Sequence, residues 1–126
     1  MGYTFEPEQK HAKACATNVR ISTKNAEIVC RVVRRKKLTV AKRLLEGLVA
    51  RTRSLDGKYY TNAAEELLSL LNSCEKNADN RGLDKGKLFV YTSASEGSHM
   101  RRGRRKGSFG SRMKMTNLEV ILVERK

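Results

Sequence analysis

The sequence predicts an α+β fold: three helices packed on a small three-stranded antiparallel sheet, with an extended basic β-hairpin arm. Three observations predict it. Three stretches carry apolar residues at helical spacing, and the last third of the chain holds two stretches of alternating apolar residues. Between those two lies a 19-residue cationic segment, Gly97 to Met115.

Residues 1–14 are polar and mixed, hold the sole proline, Pro7, and are expected at the surface. Thr17 to Ile21 alternates as a short strand should, with Val19 and Ile21 on one side and Asn18 and Arg20 on the other. Ser22 is placed to cap a helix whose stripe is Ala26, Val29, Cys30 and Val33, ending in Arg34, Arg35, Lys36 and Lys37. Cations there oppose the negative end of the helix dipole and are equally able to meet phosphate. Thr39 is the expected cap of the second helix, with Ala41, Leu44, Leu45 and Leu48 as its stripe. Gly47 inside it marks a close crossing or a local weakness. Residues 54–61 form a turn around Asp56-Gly57. Asn62 and Glu65 resemble a capping box for the third helix, whose face is Ala64, Leu67, Leu68, Leu71, Cys74 and Ala78, with Gly82 as terminator. Leu88, Val90, Thr92 and Ala94 then alternate as a half-buried strand over 87–95. Leu118, Val120 and Leu122 alternate with Glu119, Ile121 and Val123, and apolar residues on both faces mark the 116–124 strand as central. No repeat or linker divides the chain, so 1–126 is expected to be one domain with 97–115 as its arm.

Two strands joined by 19 residues exceed the usual hairpin connection of about 2–5 residues. The segment holds five arginines, two lysines and four glycines, and no acidic residue. It has no apolar pattern, and ordering it costs roughly 1–2 kcal/mol per residue in backbone entropy, so a partner must supply the stabilisation. Seven cations specify a polyanion. The whole chain carries +14, from 27 basic and 13 acidic residues, and the 107 residues outside the segment are themselves basic. That excess is the footprint of nucleic-acid binding over more than one face. Arginine grips phosphate bidentately and stacks on bases. Glycines 103, 107 and 110 allow close backbone approach, and Phe109, with little core to join, is placed to stack on an exposed base.

Other chemistries find little support. His11 and His99 are the only histidines, and nucleophile-elbow, phosphate-loop and HExxH patterns are absent, so no enzyme, catalytic residue or cofactor is expected. Cys15, Cys30 and Cys74 are odd in number and widely spaced, fitting neither a disulfide framework nor a paired zinc site. A Cys15, Cys30, Cys74 and His99 zinc set has the ligand count but not the spacing. No run approaches the roughly 18 apolar residues of a membrane span, and an intracellular chain with reduced thiols is expected. A DNA-bending architectural protein with a basic β-arm is the alternative, though its usual proline wedge and dimer stripe are missing.

Asn18-Val19-Arg20-Ile21-Ser22, Lys24-Asn25 and the run Arg34 to Leu38 resemble the large-subunit ribosomal protein family numbered twenty-two in bacteria and seventeen in eukaryotes. So do Leu71-Asn72, Asn77-Ala78 and Gly82-Leu83-Asp84, and the order Arg101-Arg102, Phe109-Gly110, Leu118-Glu119-Val120. The middle set resembles the archaeal and eukaryotic form. The resemblance implies an rRNA-bound structural protein near the exit of the nascent-peptide tunnel. Its hairpin threads through large-subunit rRNA and helps line the tunnel wall, and it has no catalytic residues. Asn18, Arg20, Ser22, Lys24 and Asn25 would contact RNA from the body, joined by Arg34, Arg35, Lys36 and Lys37. From the arm come His99, Arg101, Arg102, Arg104, Arg105, Lys106, Phe109, Arg112 and Lys114. The implied partners are large-subunit rRNA, neighbouring ribosomal proteins and nascent peptide at the arm tip, with no membrane and no homo-oligomer, in the cytoplasm within the ribosome. Two departures stand out. Only Arg51 to Thr61 remains where that form carries a longer basic insertion, and the arm is a few residues short between Gly110 and Glu119.

Overall fold

A computed structural model describes residues 7–8, 10–55, 57–98, 100–101, 103, 107, 110 and 112–124. Strand β1 spans His11–Val19, followed by helices α1 (Thr23–Val33), α2 (Leu38–Val49) and α3 (Thr61–Asn80). Strand β2 spans Leu88–Glu96, two short strands β3 (Met100–Arg101) and β4 (Arg112–Met113) follow, and β5 runs Thr116–Glu124. The main sheet has the order β1-β5-β2, antiparallel throughout. The expected α+β architecture is therefore present, with β5 at the centre as its two apolar faces require.

Alternation builds the core. Ala12 and Ala14 of β1, Val120 and Leu122 of β5 and Val90 of β2 share one face through the pairs Ala14 to Val120, Ala12 to Leu122 and Val90 to Leu122. All five are buried, and α1 and α3 lie over that face while α2 packs on α3. The helical stripes at 26, 29, 30 and 33 and at 41, 44, 45 and 48 are wholly buried. On α3 the buried face is wider than expected, adding Ala63 and Leu70, while Leu68 is only partly covered. Thr92 faces inward and satisfies its hydroxyl by donating to the Cys30 carbonyl at 3.1 Å. Burial pushes the Cys30 thiol up to about 11 and the Cys74 thiol up to about 12, so both pack as small hydrophobes. Gly82, at φ 72°, ends α3 with the paired Leu83 N–H to Ala78 and Gly82 N–H to Asp79 bonds of a Schellman turn.

Several expectations need correction. The first strand starts at His11 and ends at Val19, so residues 11–14 are structural and Ile21 lies beyond the strand. Alanines at the inward positions hide the alternation. Helix α1 stops at Val33, not in the basic quartet: Arg35 turns left-handed at φ 67°, and 35–37 run along the outer edge of β2. There the Arg35 N–H donates to the Val90 carbonyl at 2.7 Å, and the Val90 N–H donates to Lys36 at 2.8 Å. This backbone pairing covers part of a sheet edge that would otherwise be open. It also sets the start of α2, capped by Lys37 rather than Thr39. The cap of α3 is Tyr60, with no side-chain hydrogen bond, so Asn62 lies inside the helix and forms no capping box. Strand β2 is shifted by one residue from the expected 87–95.

Candidate nucleic-acid interface

The root of the cationic segment is built from polar contacts, buried at Thr116 and exposed at Asn18, that tie the ends of β5 and β2 to the β1–α1 junction. Thr116, fully buried, donates from Oγ1 to the Ile21 carbonyl at 2.8 Å. Its single proton being used, Oγ1 accepts from the Thr23 hydroxyl, also at 2.8 Å. Asn18 takes φ 54°, a conformation asparagine tolerates better than most residues. Its N–H donates to Asn117 Oδ1 at 2.9 Å, and its own Oδ1 accepts from the Ser98 N–H at 2.8 Å. Gly97 is required beside it, because a Cβ there would stand 2.8 Å from Asn18 Oδ1 and 3.1 Å from the Met115 carbonyl carbon. Beyond this root, Met100 pairs with Met113 and Arg101 with Arg112, and the Arg101 guanidinium donates to the Gly110 carbonyl at 3.3 Å. Gly107 and Gly110 take φ of 77° and 76°. His99, Arg102, Arg104, Arg105, Lys106 and Phe109 lie outside the described residues. Thr116→Val is expected to cost about 1–3 kcal/mol, because it leaves the Ile21 carbonyl without its buried donor. Urea denaturation measures that loss.

The remaining candidates separate into two groups. Arg20, Ser22 and Asn25 gather with Lys114 around a cavity of about 480 Å³, and Lys24 is exposed on the same first turn of α1. Ser22 caps α1, its hydroxyl facing the Asn25 N–H at 3.5 Å. The beginning of α3, through Tyr60 and Asn62, closes the other side of this cavity. Neither α1 nor α3 has an acidic residue in its first turn, so the positive ends of both dipoles add to the two cations. Tyr60 is held at φ 45°, a left-handed conformation costing on the order of 1–3 kcal/mol in a bulky residue.

Arg34, Arg35, Lys36 and Lys37 are not part of that cluster. They follow the other end of α1, whose 11 residues at 1.5 Å each separate the groups by about 16 Å along its axis. Arg34 Nε donates to the Thr92 carbonyl at 3.1 Å, and Arg34 and Arg35 line a cavity of about 340 Å³ with Tyr91, Ser93, Glu119 and Ile121. Ser93 donates to the buried Glu119 carboxylate at 3.0 Å.

The sequence reading missed the α2–α3 connection. Arg51 sits 5.8 Å from the Tyr59 ring centroid in a cation–π contact, with Tyr59 39% exposed. Arg53 and Lys58 are exposed in the same short connection, which leads directly to Tyr60 and the cavity. The available signal was three basic residues, Arg51, Arg53 and Lys58, followed at once by Tyr59-Tyr60 in RTRSLDGKYYT. Cys15 is exposed while Cys30 and Cys74 are buried, and among the described residues no cluster of His, Cys, Asp and Glu could hold a metal. No helix among the described residues is long and apolar enough to cross a membrane.

The fold is that of a small, strongly basic α+β protein with Arg20, Lys24 and Lys114 beside the root of a cationic segment. Residues 14–123 match the family described as Ribosomal protein L22p/L17e, and the chain belongs to that family, in its archaeal type. The large ribosomal subunit protein uL22 of Methanocella arvoryzae is 29% identical over 145 residues, covering 98% of this chain and 94% of its own length. That of Staphylothermus marinus is 32% identical, covering 79% of this chain and 78% of its own. That of Nanoarchaeum equitans is 30% identical, covering 91% and 79% respectively. An alignment of 145 positions against a chain of 126 residues means that the Methanocella protein carries residues this chain lacks.

Proposed function

We propose that this chain is a structural constituent of the large ribosomal subunit that binds large-subunit rRNA. The body docks through Arg20, Ser22, Lys24 and Asn25, with Arg34 to Lys37 forming a second contact around the far end of α1. The arm, residues 97–115, threads between rRNA helices and reaches the wall of the nascent-peptide tunnel. His99, Arg101, Arg102, Arg104, Arg105, Lys106, Arg112 and Lys114 neutralise converging phosphates there, and Phe109 stacks on a base. Asn18 acts mainly by positioning, because its Oδ1 holds the Ser98 amide at the arm root. The chain acts as one domain, without catalytic residues or cofactor, as a monomer in the cytoplasmic ribosome beside neighbouring ribosomal proteins and nascent peptide. The observation that carries this reading is the network of buried Thr116 and exposed Asn18, which fixes where a cationic segment leaves a basic body.

Sucrose-gradient sedimentation of lysate from cells expressing the full chain tests the proposal. The expected result is sedimentation with the large subunit at moderate salt and release at high salt. Absence from that peak at moderate salt, or equal affinity for bent duplex DNA, overturns it.

A further inference from the structure

We infer that the cavity between the β1–α1 junction and the start of α3 receives a single unpaired nucleotide of the bound RNA. The inference rests on the rRNA-binding reading and names what occupies one part of that interface.

The cavity, about 480 Å³, has the volume of a small-molecule site and is far larger than a lone phosphate requires. Its chemistry comes in three parts. Arg20 and Lys114, from separate segments and both exposed, supply two positive charges on its rim. Asn25 and Asn62 supply two side-chain amides, each able to donate and accept at once. Ile21 and Ala63, both buried, give it an apolar floor, and the half-buried Tyr60 adds an aromatic side chain to the wall. Among the described residues lining it there is no Asp or Glu.

A nucleotide matches all three parts: an anionic phosphate for the cations, a polar base edge for the amides, and a flat apolar face for the floor and ring. RNA is read in this way where bases are splayed from a loop or bulge, stacked on aromatics and hydrogen-bonded along their edges. An acidic peptide would satisfy the two cations and pair its backbone with the amides, but it brings no flat apolar face for the floor and ring. Lys114 lies one residue before Met115, whose carbonyl accepts from Gly97 at the arm root. A nucleotide seated here would therefore anchor the RNA beside the point where the arm departs, and fix the register in which the arm enters. Next in sequence to Tyr60, the exposed Tyr59 with Arg51 5.8 Å from its ring centroid is a further aromatic and cationic pair of the kind that stacks on bases.

Titration of the full ¹⁵N-labelled chain with AMP, GMP, CMP and UMP, and separately with inorganic phosphate and hexaglutamate, tests this. At least one nucleotide is expected to give saturable amide shifts over residues 21–25 and 61–63 and at Lys114. It should bind at least fivefold more tightly than phosphate or hexaglutamate. Asn62→Ala, at an exposed helix-start position, should weaken that binding at least threefold while leaving the spectrum elsewhere superimposable. Arg20→Gln should do the same. Phosphate or hexaglutamate matching the best nucleotide, or no nucleotide shifts at these positions, overturns the inference. A chain that sediments with large subunits yet takes no nucleotide into the cavity refutes this inference and leaves the rRNA reading standing. Nucleotide binding in the cavity without subunit association overturns the ribosomal reading, and with it the assignment of that nucleotide to rRNA, while showing that the cavity takes a nucleotide.

Discussion

Replacing the seven cations Arg101, Arg102, Arg104, Arg105, Lys106, Arg112 and Lys114 by glutamine is expected to weaken binding to large-subunit rRNA by roughly 10³-fold or more near physiological salt. Each phosphate contact releases about 0.7–0.9 of a counterion, so seven contacts contribute a slope of about −5 to −6 in a plot of log affinity against log salt. Filter binding of full chain and variant across 50–200 mM salt, a span chosen because it changes such affinities by about 10³–10⁵-fold, reads both quantities. The variant's line should be flatter as well as lower. Parallel lines would show that these side chains meet no phosphate. Changing Arg34, Arg35, Lys36 and Lys37 in the same way should flatten the slope by no more than about 3 units. Arg34 already donates to Thr92, and the backbone of 35–36 is committed to the edge of β2. Stability should stay within about 0.5 kcal/mol for the arm variant, since none of the seven residues belongs to the buried stripes of the helices and strands.

The core was legible because burial leaves a strong periodic trace. Val29, Cys30 and Val33 on α1, and Leu44, Leu45 and Leu48 on α2, can be placed from spacing alone, and all are buried. The doubly apolar run Leu118 to Val123 identified the central strand for the same reason. Helix starts were not legible. Thr39 and Asn62 are good local caps, yet the chain uses Lys37 and Tyr60, so a local preference worth only about 1 kcal/mol decides neither start. For α2, the pairing of 35–37 with β2 dictates where the helix begins. The start of β1 was hidden because Ala12 and Ala14, its inward residues, are too small to stand out against Lys13 and His11.

The candidate site shows a similar division. Composition and spacing reveal which residues carry charge, but not which ends of a helix they share. Arg20, Ser22, Lys24 and Asn25 do lie together at one end of α1, whereas Arg34 to Lys37 follow the other. The contribution of Tyr60 and Asn62 comes from folding the α2–α3 connection back against the β1–α1 junction, a long-range contact that no local pattern encodes. Asn18 looked like one more polar group near a basic cluster. In the fold it is a bracket, holding the Ser98 amide and bonded through its own N–H to Asn117.

Leu122→Ala separates folding from binding in the opposite sense to the arm variant. Leu122 is fully buried on the central strand, facing the helices, with Ala12 and Val90 as its neighbours across the sheet. Truncating a buried leucine costs about 2–5 kcal/mol, and the cost rises with the cavity that remains. Here collapse is difficult: Ala12 is too short to fill the space, and strands hydrogen-bonded on both sides prevent β5 from moving inward. The expected loss therefore lies in the upper half of that range. It is a large share of the roughly 5–15 kcal/mol that stabilises a typical domain, and should lower the urea midpoint by about 1–3 M. Below its melting range the variant keeps every surface cation, so its rRNA salt slope should match that of the unaltered chain. A cost under about 1 kcal/mol would contradict the central, fully enclosed position of β5. A flattened salt slope would mean instead that the arm root depends on core packing as well as on the Thr116 and Asn18 contacts.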